Sequence, residues 1–312
     1  MTERQLKPAD RVEITVLVDN YTDSLINTPS TPVDRRLPYN PDRRLLAEHG
    51  LSCHVKVFSG NKEHAILLDA GLSDTCLPWN AFQVGVSLAG IEAVVLSHGH
   101  YDHTGGLCHL LKNPVIPPIY VSPQAQRQRY ACRPDEPARS IGMPQDVADA
   151  LLAGAGAIVF TERMAQITDH LWLTGPIPRP NTFEDTGGPF FLDAEGTVPD
   201  LLEDDQALWL DTSDGIVVLL GCAHSGVVNT LDYIARITGC KRFHAVIGGM
   251  HLVNANDKRL EKTAEALDAY GVQIIAPCHC TGEAAMNFLR SRFPDKFVSA
   301  AAGSTFFFNT DS

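Results

Sequence analysis

The 312-residue chain has no apolar run that approaches the roughly 20 residues needed to span a bilayer. Its first residues, MTERQ, are not followed by an apolar segment of the signal-peptide type. The eight cysteines are scattered through apparent strands and helices, unlike the dense cysteine framework of a small disulfide-rich domain. We therefore expect a cytoplasmic protein with free thiols and no membrane partner.

Positive charge is also scarce. The chain has 25 lysines and arginines against 37 aspartates and glutamates, which gives a formal net charge of −12. Broad nucleic-acid binding needs clustered basic residues, so the composition argues against a nucleic-acid partner. Bound divalent cations would reverse the local field in a cleft, which would then suit a small anionic substrate. We interpret the acidic run at residues 203–205 as a solvated loop.

No short repeat and no low-complexity block interrupts the sequence, and its apolar fraction of 44% is normal for a protein with a sizeable core. Apolar β-branched runs dominate the early part, and strands alternate with helical patterns later. This order predicts an α+β fold in which two mixed β-sheets pack face to face with helices outside. We expect one domain over residues 1–312, with active-site loops at residues 27–44, 133–144 and 175–189.

The element predictions rest on β-branched apolar runs for strands and on helical spacing of apolar residues for helices. Strands are predicted at residues 12–18, 54–58, 65–69, 93–97, 118–121, 157–160, 171–174, 207–210, 216–220, 245–247, 273–276 and 305–308. Helices are predicted at residues 77–88, 105–111, 145–152, 227–238, 257–270 and 283–293.

Three imidazoles and a carboxylate occupy one turn at residues 98–103, which read His-Gly-His-Tyr-Asp-His. The apolar run at residues 93–97 predicts a buried strand that ends at this turn. His98 and His100 are two residues apart, so an extended segment would point both rings the same way. Four strong ligand groups at the end of a strand predict a metal site with space for two ions.

Three further histidines, His224, His251 and His279, each follow an apolar strand. Ligand sites in α/β proteins gather in the strand-end loops at one edge of a sheet. We interpret His251 either as another ligand or as a general acid or base. Cys278 and Cys280 flank His279, and strand alternation would point both away from it, so we expect them to pack in the protein interior.

These motifs resemble the metallo-β-lactamase superfamily. Within it, they are similar to a subgroup of metal-dependent hydrolases that also contains the archaeal dihydropterin–ribofuranosylaminobenzene-phosphate synthases. The resemblance implies the metallo-β-lactamase fold, an αββα sandwich. The segments that carry it lie at residues 48–52, 97–107, 174–179, 221–230, 246–252 and 277–282.

The resemblance also implies a dinuclear metal centre. In the superfamily, the first two histidines of the H-x-H-x-D-H motif bind one metal ion, and the Asp-His pair binds the other. The ligands implied for this chain are His98, His100, Asp102, His103, His224 and His279. Zinc is the default ion for imidazole and carboxylate ligands, and manganese or iron would suit the same set.

Two positions beside these ligands carry alternatives. Most superfamily members have a bridging aspartate where this chain has Cys222, so either Cys222 is a ligand or a water or hydroxide alone bridges the ions. Asp69 resembles the aspartate of the family's Leu-Asp-x-Gly element, which implies a carboxylate that orients a ligand histidine. The alternative for Asp69 is an ordinary turn aspartate before Gly71.

Asp102 and His251 are the candidate catalytic residues. Arg35, Arg36 and Arg179 lie in loop-like segments and are candidates for binding a substrate anion, because a guanidinium group suits phosphate. Ordinary solvated surface is the alternative for each arginine.

Three functions compete. The first is a metal-dependent hydrolase that uses two ions and a bound hydroxide on a small phosphorylated or ester-like substrate. The second is a transferase resembling the archaeal synthases, in which the same ions hold a pyrophosphate leaving group. The third is a metal-binding redox or sensor protein without hydrolytic activity. The ligand motif is compatible with all three.

Overall fold

The strands of the chain form two large β-sheets that face one another across a shared apolar core. The computed structural model describes residues 8–23, 33–34, 44–154 and 157–309, and of residues 33–34 only the backbone. Arg35, Arg36 and most of the predicted loop at residues 27–44 lie outside the described residues. Helices cover the outer faces of both sheets, so the predicted fold class is confirmed.

The strands, in chain order, are β1 Arg11–Val18, β2 Val33–Asp34, β3 Ser52–Ser59, β4 Lys62–Leu68, β5 Ala93–Val95, β6 Ile119–Val121, β7 Tyr130–Ala131, β8 Arg139–Ser140, β9 Ile158–Phe160, β10 Ala165–Gln166, β11 Leu171–Leu173, β12 Phe190–Phe191, β13 Leu208–Thr212, β14 Gly215–Leu220, β15 Phe243–Gly249, β16 Ile274–Cys278 and β17 Thr305–Asn309. The helices are α1 Cys76–Val84, α2 Tyr101–Thr104, α3 Leu107–Leu110, α4 Gln145–Leu152, α5 Val227–Thr238, α6 Asp257–Ala269 and α7 Glu283–Arg292. Every predicted strand and helix overlaps one of these elements.

Across the described residues, the first sheet has eight strands in the order β2-β17-β1-β3-β4-β5-β6-β9, and the second has six in the order β10-β11-β13-β14-β15-β16. In each sheet an antiparallel part continues into a parallel part, formed by β4, β5, β6 and β9 in one and by β14, β15 and β16 in the other. A small antiparallel sheet of β12, β7 and β8 lies apart from both.

The core between the sheets is built by alternation along the strands. Val12, Ile14 and Val16 of β1 are fully buried there, and Val217 and Leu219 of β14 meet them from the other sheet. The opposite face of the first sheet packs against α1, α3 and α4, and that of the second sheet packs against α5, α6 and α7. Side chains alternate between the two faces of a strand, and here the other sheet covers one face while helices cover the other. The central strands are therefore apolar on both faces and rich in Val, Ile and Leu.

Helix α1 is shorter than predicted. The pattern extends to residue 88, but the helix ends at Val84 because Gly85 takes a left-handed conformation, with φ 76°. Its backbone N–H donates to the carbonyls of Ala81 and Phe82, which closes the last turn.

Five strands end at one edge of the molecule with residues of the predicted site. Asp69 follows β4, the turn at residues 98–103 follows β5, and His224, His251 and His279 follow β14, β15 and β16. Parallel strands bring their carboxyl ends to the same edge, so the topology gathers these side chains. Within the described ranges, no helix is both long and apolar enough to cross a membrane.

The core between the sheets predicts the effect of truncating Leu219. Leu219 is 1% exposed, and we expect Leu219→Ala to lower the free energy of unfolding by about 2–5 kcal/mol, because it leaves a cavity between the sheets. Val115 is 82% exposed, so the control Val115→Ala should change stability by less than about 0.5 kcal/mol. Urea unfolding of the metal-free proteins measures both, and equal losses would contradict the placement of this core.

Candidate metal centre

Three histidine rings, those of His98, His100 and His224, converge at the edge where the strands end. Their ring centroids lie 4.5 Å (His98–His100) and 4.8 Å (His224 to each of the other two) apart. The three Nε2 atoms are buried and have no hydrogen-bond partner. One ligand atom from each ring lies within 4.8 Å of the other two. Unpaired buried nitrogens are costly, and three that converge suit a divalent metal ion.

The hydrogen bonds made by the Nδ1 atoms of these rings determine whether each Nε2 presents a lone pair or a proton to the centre. His224 Nδ1 donates to the carbonyl of Thr186 at 2.7 Å, so its Nε2 carries the lone pair. His98 Nδ1 lies 2.9 Å from the hydroxyl of Ser97. Burial and the neighbouring imidazoles lower the pKa of His98, His100 and His224 well below the usual histidine value. All three are therefore neutral at pH 7, as metal ligation requires.

A second group forms beside the first, from Asp102, His103 and His279. Asp102 Oδ2 lies 3.3 Å from His279 Nε2 and 3.8 Å from His103 Nε2. Burial alone would raise the pKa of Asp102, but the histidines around it outweigh burial and hold that pKa well below its usual range. The carboxylate is thus ionised in the middle of the group.

Two lone pairs face each other in this second group. His103 Nδ1 donates to Asp69 Oδ2 at 2.6 Å, and His279 Nδ1 donates to Asn20 Oδ1 at 2.9 Å. The two Nε2 atoms are 3.2 Å apart, so a cation must lie between them, either a proton or a metal ion. Burial opposes charge on His103, yet the carboxylates of Asp69 and Asp102 raise its pKa to about 9. The group therefore attracts positive charge.

Asp69 lies behind both groups and is fully buried. Its Oδ1 accepts from the backbone N–H of Ser97 at 2.7 Å, and its Oδ2 accepts from the Ser97 hydroxyl at 2.7 Å. Because that hydroxyl donates to Asp69, it accepts from His98 Nδ1. Asp69 thus orients His103 directly and His98 through Ser97, as carboxylates behind metal-binding histidines do.

Cys222 lies between the two groups. Its Sγ is 3.1 Å from His103 Nε2. The same thiol lies within 4.8 Å of ligand atoms of His98 and His103, of His224 and His251, and of His279 and Cys280. Burial raises the pKa of Cys222 well above that of a free thiol. The Cys222 side chain is therefore close enough to both groups to bridge two metal ions.

The expectation that Cys278 and Cys280 both pack away from His279 is wrong for Cys280. Cys278 is buried in the core between the sheets. Strand β16 ends there, and a 3₁₀ turn begins at His279, whose φ is 50°. Alternation fails in this turn, so the Cys280 thiol points to the site and lies near Cys222.

His251 lies against the first group, with its ring 4.3 Å from that of His224 and 5.9 Å from Phe190. Its Nδ1 is buried and has no hydrogen-bond partner. Both interpretations made from the sequence, ligand and proton-transfer group, are compatible with this position.

Four residues of this edge have a left-handed backbone although none is glycine. They are Asp69 (φ 58°), Ala223 (φ 54°), His251 (φ 41°) and His279 (φ 50°). Each such conformation costs of the order of 1–3 kcal/mol and persists where the surrounding structure holds it. Such strain is concentrated at functional sites, which is consistent with the clustering of ligand groups here.

The acidic run at residues 203–205 is not a solvated loop as a whole. Asp204 and Asp205 are almost fully buried. Asp204 accepts from the backbone N–H of Gly99 at 2.8 Å and from a buried guanidinium, and Asp205 accepts from the backbone N–H of Ser225 at 2.7 Å. The run therefore fastens the two turns that carry the first group of histidines.

Arg179, a candidate for substrate binding from the sequence, contacts backbone carbonyls of neighbouring turns. Its guanidinium donates to the carbonyls of His224 at 2.7 Å, Glu184 at 3.1 Å and Leu201 at 3.3 Å. It is not among the residues that line the cleft above the centre. Arg179 therefore supports the turn that carries His224.

The cleft above the two groups has a volume of about 330 Å³. Two of the predicted loops line it: Arg133 and Arg139 come from residues 133–144, and residues 187–189 come from the third loop. Phe190 and Tyr101 add aromatic surface, and Arg139 lies 5.7 Å above the Tyr101 ring. Neither arginine was a sequence candidate, because nothing local distinguishes them from surface arginines.

His49 is a further residue of the site that the sequence reasoning did not select, although the segment at residues 48–52 contributed to the family resemblance. Its Nε2 lies 3.2 Å from Asp102 Oδ2, and that hydrogen bond raises the pKa of His49. The side chain is about half exposed, at 52%. His49 therefore offers a proton between Asp102 and the cleft.

The converging nitrogens predict the effect of removing one ring. We expect His100→Ala to bind at least one metal equivalent fewer than the wild type, because a three-imidazole group becomes a two-imidazole group. Elemental analysis after loading with zinc and gel filtration measures the ratio. His109→Ala, outside the groups described above, is the control, and unchanged stoichiometry in His100→Ala would overturn the assignment of the first group.

Comparison with known proteins places this site in a family. The sequence profile of the metallo-beta-lactamase superfamily matches residues 53–233. The chain is 29% identical, over 82% of its own length and 89% of the relative's, to the 7,8-dihydropterin-6-methyl-4-(beta-D-ribofuranosyl)-aminobenzene-5'-phosphate synthase of Methanocaldococcus jannaschii. It is 30% identical to an uncharacterized protein of the same organism, over 79% of this chain and 89% of that protein.

Solved structures agree with this placement. A metal-dependent hydrolase of the beta-lactamase superfamily superimposes with a TM-score of 0.73 at 30% identity, covering 95% of this chain and 98% of that one. A diphosphatase of the PhnP family shares the fold, with a TM-score of 0.52 at 13% identity, over 96% of this chain and 97% of its own. The profile match, the strand-end histidine groups and the shared fold together show that this chain belongs to the metallo-beta-lactamase superfamily.

Proposed function

We propose that this protein is a metal-dependent hydrolase with a dinuclear centre that acts on a small phosphorylated or ester-like anion. The observation that carries the proposal is the convergence of three buried, unpartnered Nε2 atoms beside a second group that requires a cation. Zinc suits the imidazole ligands best, and manganese or iron would suit the same groups. The proposed ligands are His98, His100 and His224 for one ion, and Asp102, His103 and His279 for the other.

Divalent ions bound here would lower the pKa of a water molecule to near 7 and offset negative charge in the transition state. The chain contributes orientation and proton transfer. Asp69 and Thr186 fix the tautomers of His103 and His224 by accepting from their Nδ1 atoms. We assign proton transfer to the leaving group to His251, whose ring lines the cleft beside His224. Asp102 holds His49 in place at the cleft, where it offers a second proton.

The cleft supports an anionic substrate of modest size. Its volume of about 330 Å³ is at the small end of the range typical of small-molecule sites. Arg133 and Arg139 supply positive charge, although the chain as a whole carries a net charge of −12. Phe190 and Tyr101 would contact a planar group of the substrate.

A second candidate is a transferase in which an arylamine displaces pyrophosphate from a pterin diphosphate. The observation that favours it is the 29% identity to the archaeal synthase, which extends over 82% of this chain. In that reaction the carbon–oxygen bond to pyrophosphate breaks, a carbon–nitrogen bond forms, and the amine proton passes to a base. The synthase and the metal-dependent hydrolase of about 30% identity are both enzymes, which favours both candidates over a redox or sensor function.

One experiment separates hydrolysis from transfer. The zinc- and manganese-loaded proteins are incubated with a phosphomonoester, a phosphodiester, a lactone, and a pterin diphosphate with and without an arylamine, in ¹⁸O-labelled water. Hydrolysis predicts that ¹⁸O from water enters the product even when no arylamine is present. Transfer predicts pyrophosphate release that depends on the amine, with an unlabelled condensation product. Absence of both reactions with every substrate and metal would contradict the enzymatic proposals.

The cleft arginines predict a binding defect. We expect Arg139→Gln to raise KM roughly tenfold for whichever anionic substrate the screen above identifies. The reason is that a hydrogen bond to a charged group contributes about 1.5–3 kcal/mol. The value of kcat should stay within about twofold, because Arg139 is neither a proposed ligand nor a proton-transfer residue and would bind the substrate and the transition state alike. Arg292→Gln on α7 is the control, and steady-state kinetics measure all three proteins. An unchanged KM in Arg139→Gln would remove this residue from substrate binding.

A further inference from the structure

Two thiols meet at the second ligand group. The Sγ atoms of Cys222 and Cys280 and a ring nitrogen of His279 all lie within 4.8 Å of one another. The Cys280 thiol also lies 3.7 Å from the backbone carbonyl of Cys222. Both cysteines line the cleft, whereas the other six are elsewhere in the structure. A cysteine pair beside an imidazole is a set of three ligand groups of the type that binds zinc.

The two thiols can approach one another because residue 249, which lies beside them, is a glycine. Gly249 ends β15 and pairs with Cys278 of β16, directly beside the turn that carries Cys280. A Cβ atom on residue 249 would lie 2.7 Å from the Cys280 Sγ and 2.4 Å from the Gly221 carbonyl. Any other residue would therefore displace the thiol or the neighbouring strand. The absence of a side chain at Gly249 allows Cys280 to approach Cys222.

The chemistry of the two thiols differs from that of a carboxylate bridge. Thiolates are soft ligands that favour zinc and softer ions such as cadmium, while carboxylates and water favour magnesium and manganese. The first group, with three imidazoles, does not discriminate as strongly between these ions. Selection at this centre would therefore depend on Cys222 and Cys280.

We propose that Cys222 and Cys280 both bind metal beside His279, so that the second metal position is a thiolate site selective for soft divalent ions. The inference rests on the metal centre of the proposed function and adds two ligands and a metal preference to it. It also gives Cys280 a function that its position in the sequence did not indicate.

Cobalt(II) provides a test that does not depend on activity, because thiolate ligation produces an intense sulfur-to-cobalt charge-transfer band in the near ultraviolet. The reduced 312-residue protein is titrated with CoCl₂, and its absorbance is recorded. We expect this band in the wild type, and a loss of roughly half its intensity in Cys280→Ser, since one of two proposed sulfur ligands is removed. Cys222→Ser should lose at least as much, and Cys240→Ser, the control, should match the wild type.

Metal preference is the second readout. Cys222→Asp and Cys280→Ser should both bind Cd²⁺ more weakly relative to Mn²⁺ than the wild type does, by at least tenfold in the ratio of dissociation constants. Competition titration measures that ratio. An unchanged ratio in both variants would overturn the selectivity.

The outcomes separate this inference from the proposed function. Cobalt binding without a charge-transfer band would overturn the thiolate site and leave the histidine centre standing. Failure of the wild type to bind cobalt or zinc would overturn both. Should the serine variants not fold, alkylation of the wild type decides: zinc should protect Cys280 from iodoacetamide, as read by mass spectrometry, and leave Cys240 unprotected. Equal labelling of Cys280 with and without zinc would contradict the inference.

Discussion

The rest of the site depends on the hydrogen bonds that the buried carboxylate of Asp69 accepts. It accepts from the backbone and hydroxyl of Ser97 and from His103, and through Ser97 it also fixes His98. One side chain thus determines which nitrogen faces the centre in both ligand groups. A buried charge of this kind is tolerated because its acceptor sites are occupied by donors. Without it, the rings of His98 and His103 would be free to adopt tautomers and orientations unsuited to a metal ion.

The two-sheet architecture makes that contact feasible. Asp69 follows β4 and Ser97 follows β5, and these strands are parallel neighbours, so their ends are adjacent. His224, His251 and His279 reach the same edge from β14, β15 and β16 of the other sheet. The run with Asp204 and Asp205 then ties the turns of the two sheets together through the backbone N–H groups of Gly99 and Ser225. The site residues are therefore positioned by the ends of five strands, and buried hydrogen bonds fix the turns that carry them.

The sequence predicts this arrangement where the signal is local. The turn at residues 98–103 and the strand-then-histidine pattern follow from neighbouring residues, and the predicted strands and helices overlap observed ones. The pairing of Asp204 with Gly99, the carbonyl contacts of Arg179 and the approach of His49 to Asp102 join residues far apart in the chain, and no spacing rule indicates them. Strand alternation predicts the wrong orientation for Cys280, because alternation does not continue into the turn where His279 has a positive φ.

The ligand chemistry connects the centre to the charge of its cleft. Three imidazoles are neutral, so the first ion would keep its full positive charge, whereas Asp102 and any ionised thiol would offset part of the charge of the second. An anion approaching a centre loaded with two ions would therefore meet the more positive ion at the His98–His100–His224 group. Phe190, which touches the His100 and His224 rings at 5.4 and 5.5 Å, borders that group. Arg133 and Arg139 line the same cleft, and in a chain with an excess of acidic residues they would supply the local positive charge that an anionic substrate of the proposed kind requires.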